Sequence, residues 1–180
     1  MPRPPLLAAC LTAALLAALL AACAATPPAH YYTLPDSAYL PPAGRNGPAT
    51  AVQIILAAPL DQGGLVYQTD ALQLNFARQN LWAAPLEHSL AAAFSNRLNR
   101  SGSGLYAPHN RHHGAQVLKI YIEQFQGTYH GHTVVSGYAQ WPDGRTRPFD
   151  IRTPQQGDGY PAMVESLSQG IERAADAILP

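Results

Sequence analysis

Val117-Leu118-Lys119-Ile120-Tyr121-Ile122-Glu123-Gln124-Phe125 is the stretch that decides the fold. Its side chains alternate with the period of two that a pleated strand imposes. Val117, Lys119, Tyr121, Glu123 and Phe125 fall on one face, and Leu118, Ile120, Ile122 and Gln124 on the other. The pattern predicts one long strand over 117–129. His130-Gly131 then supplies a tight turn, and Thr133 to Trp141 runs back as the second arm of a hairpin. Pro142-Asp143-Gly144 is a second turn, and Arg145 to Thr153 makes a third strand of the meander.

Two helical stripes flank this meander. Pro85 opens the first helix, where a missing N–H costs nothing. Leu86, Leu90, Phe94 and Leu98 recur every four residues on one stripe, and Ser101-Gly102-Ser103-Gly104 stops it. The second helix runs from about Tyr160 to Leu179, with Met163, Val164, Leu167, Ile171, Ala174 and Ile178 as its apolar face. Asp158, just before it, reads as a cap or turn residue.

Upstream, Tyr31 to Leu34 reads as a strand and the Pro- and Gly-rich segment 35–48 as a loop. Val52 to Leu56 is an apolar run broken only by Gln53, expected as a strand buried on both faces. Leu65 to Thr69 and Ala71 to Ala77 pair around a turn shaped by Asp70, with Leu72, Leu74 and Phe76 as a half-buried face. No internal repeat is present. The fold class is α+β: an antiparallel or mixed β-sheet meander with two amphipathic helices packed on one face.

The N-terminus sets the compartment. Arg3 precedes an uncharged apolar run from Leu6 to Leu20, and Leu20-Ala21-Ala22-Cys23 closes it. A basic start, an apolar middle and small residues make a secretion signal. A cysteine directly after Leu-Ala-Ala is a lipobox, which makes Cys23 the acylation site. A transmembrane helix needs about 20 apolar residues, which Leu6 to Ala22 does not reach. Cys10 also follows Leu7-Ala8-Ala9, but too few apolar residues precede it for the usual core of ~7–15. The expected organisation is a signal peptide over 1–22, a lipidated tether over 23–29 and one domain over 30–180. Ala24 is not the aspartate that retains lipoproteins at the inner membrane in enteric-type bacteria. The expected location is therefore the outer membrane, facing the periplasm.

Composition narrows the chemistry. Removing Arg3 from 11 basic residues leaves 10 against 11 acidic ones, and Lys119 is the only lysine. No basic stripe exists, which argues against nucleic-acid binding. Without Cys10, and with Cys23 acylated, no thiol is left for catalysis, a disulfide or a thiolate metal site. His109, His112 and His113 share a loop, and His130 and His132 flank a turn. Neither group has a carboxylate at ligand spacing, so solvated loop histidines are the reading and no metal site is expected. GXSXG, Ser-X-X-Lys, HEXXH and a phosphate-binding Gly-rich loop followed by Lys are all absent from the sequence. No catalytic residue and no cofactor is expected. Lys119 and Glu123, four apart on one strand face, mark a polar surface or a contact patch.

The aromatic residues Tyr67, Trp82, Tyr121, Phe125, Tyr129, Tyr138 and Trp141 gather on or near the predicted strands. Most belong to a core, and exposed ones would anchor a protein contact. Trp82, Tyr67 and the hairpin tip His130-Gly131 are the candidate partner-binding residues.

Several stretches carry a family resemblance. They are Val66-Tyr67-Gln68-Thr69, Asn80-Leu81-Trp82-Ala83-Ala84-Pro85-Leu86, Tyr31-Tyr32-Thr33-Leu34, Phe125-Gln126-Gly127-Thr128-Tyr129, Val135-Ser136-Gly137 and Asp158-Gly159-Tyr160 before Met163-Val164. In this order, behind a lipobox, they resemble the PqiC-type, ABC-type transport auxiliary lipoproteins. The resemblance implies a non-enzymatic envelope component, an accessory of an MCE-type intermembrane lipid transport system. Its implied partner is an MCE-domain periplasmic protein (PqiB-like), whose tube it would dock at the outer membrane, and a homo-oligomeric ring would match the tube's symmetry. Two other readings remain: a periplasmic lipid-binding carrier module with a groove between helices and sheet, and an envelope hydrolase or metalloprotein. The His-rich segment 102–114 departs from the family pattern.

Overall fold

The computed structural model describes residues 27–112, 114 and 116–179. The signal peptide, Cys10, Cys23 with the start of its tether, and His113 lie outside the described residues. The elements in chain order are β1 (His30–Tyr32), β2 (Thr50–Leu56), a 3-10 turn (Ala58–Gln62), β3 (Gly64–Gln68), β4 (Leu74–Trp82), α1 (Leu86–Ser101), β5 (Tyr106–Pro108), β6 (Val117–Gly127), β7 (His132–Gln140), β8 (Thr146–Pro154) and α2 (Gly159–Ile178). The class is α+β, with a mixed eight-stranded sheet.

β6 is the axis of the sheet. Along one edge it pairs antiparallel with β7, which pairs antiparallel with β8. Along the other edge β2 lies parallel to its first half, with Val52 opposite Leu118 and Leu56 opposite Ile122. β3 joins the same edge further on, with Tyr67 opposite Gly127. β5 adds in parallel to β2, and β4 and then β1 add beyond β3. The expected meander is thus β6, β7 and β8, and the rest of the sheet is largely parallel.

Both helices sit on the sheet, and they touch each other. The expected stripe of α1 is buried along its whole length, as is that of α2. Arg97 of α1 holds Asp176 of α2 through Nε–H to Oδ1 at 2.9 Å. That ion-paired hydrogen bond keeps the Asp176 carboxyl below the usual carboxylate range.

Three expectations are corrected. First, Phe125 is on the core face and Gln124 is exposed. Ile122 pairs with Gly137 but Gln124 pairs with Ser136, so Glu123 is an extra residue in β6. One inserted residue reverses every later side chain. The bulge also sets Gly137 against β6: a Cβ there would lie 1.9 Å from the Tyr121 carbonyl oxygen, and its φ is +156°. Second, the strand after Asp70 begins at Leu74 and runs to Trp82. Leu72 is in the turn and 94% exposed, and Leu74 is exposed too, so they form no half-buried face. Asp70 does shape that turn, its Oδ1 accepting from the Leu72 and Gln73 N–H groups at 2.7 and 3.0 Å. Third, β2 is not buried on both faces: Val52 and Ile54 are buried, while Gln53, Ile55 and Leu56 stay partly exposed. Tyr106–Pro108 adds a strand that no sequence pattern announces. Asp158 stands at the N-cap of α2, but its side chain makes no capping hydrogen bond.

Candidate functional site

Register decides which residues meet at one end of the sheet. β3 and β6 run side by side in the same direction. The turn after Gln68 and the turn after Gly127 therefore project the same way, and α2 begins beside them, after Pro154 has paired with His132. Between these parts lies an open cleft of about 370 Å³, lined among others by Tyr67, Gly127, Tyr129, Gln155, Tyr160 and Met163. It exists because α1 packs on β2 and β5, leaving only the first turns of α2 over this end.

Tyr67 and Tyr160 line one wall, and Tyr32 packs against Tyr160. The Tyr160 ring centroid lies 6.0 Å from that of Tyr67 and 6.0 Å from that of Tyr32. Tyr32 Oη–H donates to Asn80 Oδ1 at 3.1 Å. Burial pushes the Tyr160 phenol up, with Tyr67 adding to the effect, so it stays neutral. Gly127 keeps the floor clear: a Cβ there would lie 2.6 Å from Met163 Sδ. No Asp, Glu, Lys or Arg lines the cleft. Such a recess suits apolar or neutral contact and offers no acid–base pair for chemistry.

Of the sequence candidates, Tyr67 lies in the cleft wall and His130-Gly131 forms the adjoining turn, with Gly131 at φ +73°. Trp82 is not with them. It is 8% exposed, and its ring lies 5.8 Å from that of Phe125, which makes it a core residue rather than a surface anchor. Tyr129, Tyr160, Met163 and Leu72 went unchosen in the sequence. Tyr160 is signalled only by its place after Asp158-Gly159, and Leu72 by the Asp70 turn. The Tyr129 ring lies tilted against His130 at 3.9 Å, and His130 lies parallel to His132 at 5.9 Å.

Elsewhere the polar groups serve structure. Thr133 and Ser166 hydroxyls meet at 2.7 Å, and the Ser166 hydroxyl also donates to the Thr153 carbonyl at 3.0 Å, tying α2 to β7 and β8. Among the described residues no three His, Cys, Asp or Glu side chains converge as a metal site requires. No helix among them is long and apolar enough to cross a membrane. Lys119 and Glu123 are both exposed on β6.

The family model of the ABC-type transport auxiliary lipoprotein component matches residues 32–179. Over 122 residues the chain is 32% identical to the intermembrane transport lipoprotein PqiC of Escherichia coli (strain K12), an alignment covering 64% of each protein. The Shigella flexneri protein of the same name gives the same values. The chain thus spans somewhat less than two thirds of the length of these curated relatives. A crystal structure of an uncharacterized protein superposes with a TM-score of 0.67 at 29% identity, covering 83% of this chain and 95% of that one. A Xanthomonas campestris protein superposes with a TM-score of 0.58 at 15% identity, over 81% and 90%, and shares the fold. The chain belongs to the ABC-type transport auxiliary lipoprotein family.

Proposed function

We propose that this chain is an outer-membrane lipoprotein and a non-enzymatic accessory subunit of an MCE-type intermembrane lipid transport system. Residues 1–22 are removed as a signal, Cys23 carries the lipid, 23–29 form the tether, and the domain over 30–180 faces the periplasm. There it docks the tube of an MCE-domain periplasmic protein, as a homo-oligomeric ring whose symmetry suits the tube. The observation that carries the reading is the family match over almost the whole domain, joined to the lipobox at Cys23. The uncharged cleft fits it, since it provides contact surface and no reaction centre. Anchoring confines the search for a partner to the membrane plane and raises effective concentration.

The test is cross-linked affinity capture of the tagged, acylated protein from its own envelope, followed by mass spectrometry. The expected result is enrichment of an MCE-domain protein. Recovery of the protein alone, with phospholipid bound, would replace this reading by the carrier module, with the cleft as its groove.

A further inference from the structure

Four features meet at one end of the sheet. The turn between β3 and β4 presents Leu72, 94% exposed, with Leu74 behind it. The turn between β6 and β7 presents Tyr129, 48% exposed. These are three of the five large hydrophobic side chains that the described residues leave exposed. The uncharged cleft opens between the two turns.

The fourth feature is the direction of the N-terminal chain. β1 runs parallel to β4, with His30 opposite Asn80 and Tyr32 opposite Trp82. Followed backwards from His30, the chain therefore heads toward the start of β4 and its turn. Cys23 stands seven positions before His30, as Gln73 stands seven before Asn80. An extended tether of that length reaches at most about 24 Å. β4 takes five steps from Leu81 to Phe76 where β3 takes two from Gly64 to Val66, so its path to the turn is shortened. A tether of that length is long enough to bring Cys23 to the level of Leu72.

We infer that this end of the sheet rests on the lipid surface, with Leu72 and Tyr129 entering the headgroup region beside the acyl chains of Cys23. The inference rests on the acylation of Cys23 proposed above. A leucine at a turn tip and a tyrosine beside it suit an interface that is apolar on one side and wet on the other. No Lys or Arg lies in 69–74 or 127–132, and Asp70 is the one acidic residue there, so attachment depends on apolar contact and the anchor and gains nothing from attraction to anionic lipid. This gives Tyr67, His130 and Gly131 a different neighbour from the protein partner that the sequence suggested: the bilayer. It also leaves the opposite end, at Trp141–Arg145, turned toward the periplasm.

Once Cys10 is removed and Cys23 is acylated, an introduced cysteine is the only free thiol. Leu72→Cys, Tyr129→Cys and, at the opposite end, Asp143→Cys are each labelled with bimane in the full acylated chain. Each is reconstituted in vesicles of phosphatidylethanolamine and phosphatidylglycerol, with and without nitroxide-bearing lipid, and the mass of the N-terminal peptide is read in the same preparations. Leu72 is so exposed that its replacement leaves the fold intact. The expected result is blue-shifted emission at 72 and 129, quenched by the nitroxide lipid several-fold more than at 143. Equal quenching at 72 and 143 in protein with an acylated Cys23 overturns the orientation alone. An N-terminal peptide without the lipid mass overturns the anchor itself. A blue shift at 72 that the nitroxide lipid does not quench means a second copy of the chain covers the turn, and overturns the lipid contact.

Discussion

The two ends of the sheet are closed in different ways. At one end Trp141 seals the core: it is buried, its indole N–H donates to the Ile178 carbonyl at 3.1 Å, and its ring meets Tyr106 edge-on at 6.2 Å. The turn outside it is polar, with Asp143 accepting from Arg145 through its backbone N–H at 3.0 Å and its Nε–H at 2.7 Å. At the other end Tyr160 is only half-buried, the cleft beside it stays open, and Leu72 and Tyr129 face outward. A domain that needed only to be stable and soluble would finish both ends like the first. Apolar surface gathered at one end marks a place kept for contact.

Breaking each end should therefore have unequal costs. Trp141→Ala removes a buried ring and orphans the Ile178 carbonyl, and should cost ~3–5 kcal/mol in urea unfolding. Tyr160→Ala removes a half-buried ring from a cleft that water already reaches, and should cost only ~1–2 kcal/mol. Equal losses would mean that the open end is as much core as the closed one.

The ion pair between the helices, near the closed end, should respond to pH. Arg97 holds the Asp176 carboxyl below its ordinary range, so its contribution is present above the unfolded carboxylate value. It is lost as pH falls through the lowered folded value. Asp176→Asn should lower stability at neutral pH by less than ~1 kcal/mol, because the pair is partly exposed, and should flatten the acid limb of the stability curve. An unchanged acid limb would show that Arg97 does not hold the carboxyl in solution. The smallest effect on folding belongs to Leu72→Ser, expected within ~0.5 kcal/mol of the parent. The same change should weaken retention on vesicles, and a clear loss of stability would show the turn to be packed rather than free.

The sequence made the helices legible because a period-four stripe needs no knowledge of distant partners. The β6–β7–β8 meander was legible because its turns carry Gly131 and the Asp143-Gly144 pair. Phe125 was assigned to the wrong face because the bulge at Glu123 depends on how Gly137 meets the Tyr121 carbonyl, which no local pattern announces. β5 is three residues long and ends in proline, so its pairing with β2 is imposed by the fold. The site was half legible. Tyr67 and the His130-Gly131 turn are neighbours only because Tyr67 pairs with Gly127, a contact set by β3 lying along β6. Trp82 looked like an anchor just before the first helix, but β4 runs on to include it and its ring lies on Phe125 in the core.

The decisive measurement is photo-cross-linking from both ends in the native envelope, with a photoreactive residue at position 72 or at position 143 of the acylated chain. The arrangement described here predicts lipid adducts from 72 and none from 143. Adducts with an MCE-domain protein from 72, or lipid adducts from both positions alike, would contradict it.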